Sequence, residues 1–188
     1  CLRACPTGAL VAPGVLDHRR CLSYATQMKG VIPRELRVAL GRRVWGCDTC
    51  QEVCPRNRGP AADGCADADP ELVRPRLGEL ALLGRAAFRR TYAGTAAGWR
   101  GRHVLRRNAL VALGNARHPA TLPALLANLC DPRPELRLHA AWALGRFAAC
   151  PSVGGAVRAA ARDALFRALA GEGDAAVRGE LAASLAIC

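Results

Sequence analysis

Six cysteines crowd into the first 54 residues, at Cys1, Cys5, Cys21, Cys47, Cys50 and Cys54, while four others are scattered at Cys65, Cys130, Cys150 and Cys188. The stretch "GCDTCQEVCPRN" holds Cys47-x2-Cys50-x3-Cys54-Pro. Bacterial ferredoxin motifs run C-x2-C-x2-C-x3-C-P, and the last cysteine ligates the other cluster of a pair. The opening "CLRACP" is Cys1-x3-Cys5-Pro, the closing pair of the same pattern, and Cys21 stands alone between the two motifs. Thiolates at this spacing hold iron–sulfur clusters, which transfer one electron at a time. Two further cysteines at C-x2-C-x2 spacing ahead of Cys1 would make eight, enough for two 4Fe–4S clusters. The chain therefore reads as starting inside a motif.

Two other thiol chemistries compete. A four-thiolate zinc site could use Cys47 and Cys50 but leaves both Cys-Pro pairs unexplained. A disulfide framework suits a short secreted domain, and no charged-then-apolar leader supports secretion here. Cys65, Cys130, Cys150 and Cys188 lack ligand-like spacing and are expected as free thiols, buried or on the surface.

The second chemistry is electrostatic. The chain of 188 residues carries a net charge of +12, unevenly spread. From Leu80 to Cys130 there are eight arginines and no acid. Such a segment suits an anionic partner, nucleic acid above all. Arg89, Arg90, Arg100, Arg102, Arg106 and Arg107 are the candidate phosphate contacts, with a solvated helix face as the alternative for each. Lys29 is the only lysine, so arginine bias alone could also make a basic stretch.

The elements that must position these groups divide the chain in three. Residues 1–58 are cysteine-rich and punctuated by Pro and Gly, and predict loops and short helices folded around something. One such helix would start at Pro33 and run through "RELRVAL" to a stop near Gly41. Residues 59–70, "GPAADGCADADP", read as a linker. Residues 71–188 read as successive helices. "VLRRNALVALGN" (104–115), "ELRLHAAWALGR" (135–146) and "AVRGELAASLAI" (176–187) align, with Leu105, Leu136 and Val177 in equivalent places. Apolar residues recur at three and four within each. Partner helices over 119–129, with Pro119 in the first turn, and over 157–169 lie between them. Helical hairpins of this kind stack into a short solenoid like HEAT repeats. Trp142, Phe147 and Phe166 are expected in its core. The fold class is thus mainly α: a ferredoxin-like two-cluster segment followed by a HEAT-like α-solenoid. No run of about 18 apolar residues suggests a membrane span, and the chain reads as cytoplasmic.

Taken together, "CLRACPTGAL", "DHRRCLSYATQMKGVIPREL", "GCDTCQEVCPRN" and "LRRNALVALGN" resemble the C-terminal part of the bacterial epoxyqueuosine reductase family. The resemblance covers essentially the whole chain. It implies a missing N-terminal cobalamin-binding catalytic domain, followed by the two-cluster domain and by repeats that help hold tRNA. It also implies reduction of epoxyqueuosine to queuosine at the wobble position, with electrons from an unidentified donor relayed through the clusters to cobalamin. By the same resemblance, one cluster takes Cys1 and Cys54, with two ligands absent from this chain, and the other takes Cys5, Cys21, Cys47 and Cys50. No catalytic residue is expected here, and the chain alone should be inactive. Three other classes remain open: a general ferredoxin-type electron-transfer module docked to a protein partner, a zinc-stapled helical scaffold, and a relative of the reductive dehalogenases. The helical-repeat tail argues against the last.

Overall fold

A computed structural model describes residues 1–57, 59, 72 and 74–188. Apart from Gly59, the expected linker and its Cys65 lie outside the described residues.

The first region is built from short pieces. A hairpin pairs β1 (Leu10–Ala12) with β2 (Val15–Leu16). The turn between them is Pro13-Gly14, and Gly14 has φ +73°, a left-handed value that glycine takes without steric cost. The Pro- and Gly-punctuated sequence predicts only loops and helices here, and the hairpin is an addition to that. Helix α1 (Leu22–Gln27) follows directly on Cys21, which is its N-cap residue. Pro33 precedes α2 (Arg34–Arg37), shorter than the expected helix, and the chain turns away at Gly41 with φ +59°. Helix α3 (Thr49–Glu52) carries Cys50, and Cys54 lies just beyond it.

After α4 (Leu77–Ala81) and α5 (Arg85–Thr91) come the repeats. These are α6 (Arg102–Ala116), α7 (Leu122–Leu129), α8 (Pro134–Ala148), α9 (Gly155–Gly171) and α10 (Ala175–Leu185). The three aligned segments form α6, α8 and α10, stacked in that order, with α7 and α9 as partner helices. A short 3-10 turn, Pro119–Thr121, leads into α7 as the position of Pro119 suggested.

Glycines set the stacking distance. A Cβ at Gly114 would lie 2.8 Å from Ala143 Cα and 2.7 Å from the Trp142 ring, and one at Gly145 would lie 2.7 Å from Ser184 Cβ. Gly114 and Gly145 hold the same repeat position, as do Ala143 and Ser184. Each helix thus presses its Leu-Gly step against a small residue of the next. Leu105, Leu136 and Val177 are all buried, as are Trp142 and Phe147. Phe166 is not: it is 57% exposed. It follows Leu165, which is fully buried, and one residue is about 100° of helix rotation, enough to turn Phe166 outward.

An acid–arginine ladder accompanies the stack. Arg106 pairs with Asp131 at 2.8 Å, and Arg137 pairs with Glu172 through two bonds of 2.7 Å. The arginines hold one repeat position and the acids another, in the loops before α8 and α10. Each rung ties a helix to the loop that starts the next repeat. The hydrogen bonds from Arg137 hold the Glu172 carboxyl down at about 2, against the cost of its burial.

Candidate functional site

The loops bearing Cys5, Cys21 and Cys47 are brought together by hydroxyl bridges. Thr7 Oγ1 donates to the carbonyl of Arg20, the residue before Cys21, at 2.6 Å. Gly46 N–H, just before Cys47, donates to Thr26 Oγ1 on α1 at 3.0 Å. Cys50 follows Thr49, whose hydroxyl accepts from Arg43 Nη2 at 3.1 Å and lies 3.6 Å from Cys47 Sγ. Cys5 Sγ accepts from Ala9 N–H at 3.2 Å. Burial pushes the Cys5 thiol up, but hydrogen bonds from the Thr7, Ala9 and Leu10 amides together outweigh it and bring the thiol down to about 7. Such N–H···S bonds favour the thiolate that a metal requires and tune the potential of a cluster bound to it. Cys1 is exposed and one turn before Cys5, whose N–H bonds its carbonyl.

The donors are thiols carried on neighbouring loops, which is the ligand chemistry of an iron–sulfur cluster. Zinc needs thiolates about 2.3 Å from one point. Among the described residues no three His, Cys, Asp or Glu side chains are gathered in that way. A four-iron cluster takes one thiolate at each of four corners, so its ligands stand farther apart. Among the described residues no cysteine is joined in a disulfide, and Cys150 is buried while Cys130 and Cys188 are exposed.

The arginines of the acid-free stretch separate into two kinds. Arg89 and Arg90, on α5, are exposed. Arg100 and Arg102 are half-buried: Arg100 Nε donates to the Gln27 carbonyl at 2.7 Å, and Arg102 Nη1 to that of Leu83 at 2.8 Å. Arg106 and Arg107 correct the expectation of surface phosphate contacts, being 8% and 1% exposed. Arg106 also bonds the Ala81 carbonyl and Asn128. Arg107 donates to the carbonyls of Ala25, Thr26, Met28 and Gly30 at 2.7–3.3 Å. The end of α1 leaves carbonyls without intrahelical partners, and a guanidinium satisfies them while complementing the helix dipole. Burial pulls the Arg107 guanidinium down to about 10, so it stays charged at neutral pH.

Sequence reasoning missed a second set of contacts between the regions. Asn108, His139 and Glu180 occupy one position in three successive repeats, and each holds the cluster region. Asn108 Nδ2 donates to the Thr26 and Val44 carbonyls, both at 2.7 Å. Ile32 N–H donates to His139 Nε2 at 3.1 Å, so Nδ1 carries the proton and donates to Glu135 O. Burial holds this imidazole well below its ordinary range, and it is neutral. The Glu180 carboxylate pairs with Arg34 at 2.8 Å and with buried Arg37 at 2.9 Å. The signal was present as three polar residues at one repeat position, the place where a helix face expected to be apolar is not.

The comparisons with known proteins agree with this division. Residues 1–57 match the family model described as a 4Fe–4S double cluster binding domain, and residues 101–186 match HEAT repeats. The class is therefore an iron–sulfur double-cluster domain joined to a helical-repeat domain. An epoxyqueuosine reductase of Bacillus cereus is 43% identical over 149 residues, 78% of this chain and 39% of that protein. One of Listeria monocytogenes is 40% identical over 186 residues, 97% of this chain and 47% of that protein. A crystal structure of epoxyqueuosine reductase with an epoxyqueuosine-modified tRNA-Tyr stem loop superposes on the whole chain with a TM-score of 0.89 at 38% identity, and the chain covers 48% of it. The chain belongs to the epoxyqueuosine reductase family and spans about half the length, or less, of these relatives.

Proposed function

We propose that the chain is the electron-relay and tRNA-binding part of an epoxyqueuosine reductase, which reduces epoxyqueuosine to queuosine at the wobble position of tRNA in the cytoplasm. The observation that carries this reading is the joint between the regions: the loops and helix around Cys21 and Cys47 are clamped by three successive repeats. Cys5, Cys21, Cys47 and Cys50 hold one 4Fe–4S cluster, and Cys1 and Cys54 contribute to the second. Cobalamin, whose low-valent cobalt supplies the reducing chemistry when bound, is held mainly by residues outside this chain. This chain's part is to hold the clusters by thiolate, shield them, and keep the RNA backbone in place. The phosphate contacts narrow to Arg89 and Arg90, with Arg100 and Arg102 supplying charge from partly engaged side chains. RNA is then held through its shape and phosphates.

Two measurements test the reading. After anaerobic reconstitution a polypeptide of these residues should be brown and carry close to four irons and four acid-labile sulfides, because among them only Cys1 and Cys54 serve the second cluster. Eight irons would overturn that assignment, and a colourless protein holding zinc would sink the cluster reading. The chain should also bind a tRNA anticodon stem loop with an affinity that falls steeply with salt. Arg89→Glu with Arg90→Glu should weaken binding and flatten that dependence. An unchanged slope removes these two arginines from the interface.

A further inference from the structure

Trp99 is 64% exposed, an unusual setting for the largest apolar side chain. The turn that carries it is closely specified. Gly98 N–H bonds the carbonyl and hydroxyl of Thr95, and Gly101 N–H bonds the Gly98 carbonyl at 2.8 Å. A Cβ at Gly98 would collide with the Tyr92 carbonyl, and Gly101 has φ +90°, where a side chain is strained. Glycine is thus required on both sides of "WR".

The ring is also backed. The Arg100 guanidinium lies over it at 4.6 Å from the ring centroid, and that guanidinium is anchored by its Nε bond to the Gln27 carbonyl. One face of the indole rests on a fixed cation, and at 64% exposure the other is open to solvent. A flat aromatic face on a guanidinium plane, in a stretch of 51 residues without an acid, is the arrangement on which single-stranded bases stack. A base brings its own phosphates into this positive surrounding, so stacking and charge act together.

We infer that Trp99, backed by Arg100, is a stacking platform for an unpaired nucleotide of the bound RNA. The inference rests on the tRNA-binding reading above. It assigns Trp99 to unpaired bases and leaves the paired backbone to the exposed arginines.

The test uses the cluster-loaded chain and two probes: an unmodified anticodon stem loop, and a fully paired RNA duplex of equal length. Trp99→Ala should weaken stem-loop binding by about tenfold or more. It should leave duplex binding and the salt slope unchanged, and Trp99→Phe should restore most of the loss. Iron content and helicity equal to the parent's confirm that the variants fold. Unchanged stem-loop affinity in Trp99→Ala overturns the platform and leaves the ring to a protein partner. Equal losses on both probes, or a changed slope, overturn it in favour of a general effect on the basic face. If the parent binds neither RNA, the tRNA-binding reading itself fails, and the platform with it.

Discussion

Residues 1–57 contain no helix longer than the six residues of α1, whereas α6 and α8 run to 15 residues each and α9 to 17. The repeats bury a continuous apolar stripe and close it with glycine contacts and an acid–arginine ladder. The cluster region leaves Leu2, Val11, Val15, Leu16 and Tyr24 exposed and contributes few residues to the core. Those few, including Leu22, Ile32 and Leu40, belong to one core cluster with the repeats. The difference teaches that the repeats support themselves, while the cluster region is anchored on them, by a few shared core residues and by the polar face of the solenoid.

The comparison breaks first at Arg107. Arg107→Met removes a donor from four carbonyls, of which that of Thr26 keeps Asn108 Nδ2, and a buried carbonyl left unpaired costs about 1–3 kcal/mol. Denaturant unfolding should show the cluster region lost first, with iron released while the repeats keep their helicity. A single transition at the parent's midpoint would refute the division. Glu180→Gln leaves Arg37 buried beside a neutral partner and should cost roughly 3 kcal/mol. It should lower cluster retention more than it lowers helix content. Gly114→Ala acts within the repeats alone: the added methyl meets Trp142 and Ala143, and overpacking costs about 1–3 kcal/mol. Iron content should be unmoved in that variant.

The ladder predicts a dependence on acid. The Glu172 carboxyl is held at about 2 in the folded state against an ordinary 4.5. Its stabilisation is therefore complete above about 4.5 and is lost as pH falls towards 2. A pH series of melting temperatures should show this limb, and Arg137→Met should abolish it. The smallest effect on stability is expected at Arg89 and Arg90. Their substitution by glutamate should move stability by less than about 0.5 kcal/mol while changing RNA affinity, since both are exposed. A large loss of stability would place them with Arg106 and Arg107 among the arginines that hold the fold.

Much of this molecule was legible in the order of its residues. Cysteine spacing marked the cluster motifs because a ligand set is partly local: Cys47, Cys50 and Cys54 lie within one short stretch. Helical periodicity and the equivalence of Leu105, Leu136 and Val177 marked the solenoid, because each repeat solves the same packing problem. Composition located the acid-free stretch but could not sort its arginines. Whether a guanidinium faces phosphate or carbonyl depends on what lies across from it, and Arg107 meets residues 25–30, some 80 positions away. Only the tertiary structure put the end of α1 there, and only it turned Phe166 outward and left Trp99 on a guanidinium with one face open. Local spacing determined which groups could do chemistry; long-range packing decided which of them were left free to do it.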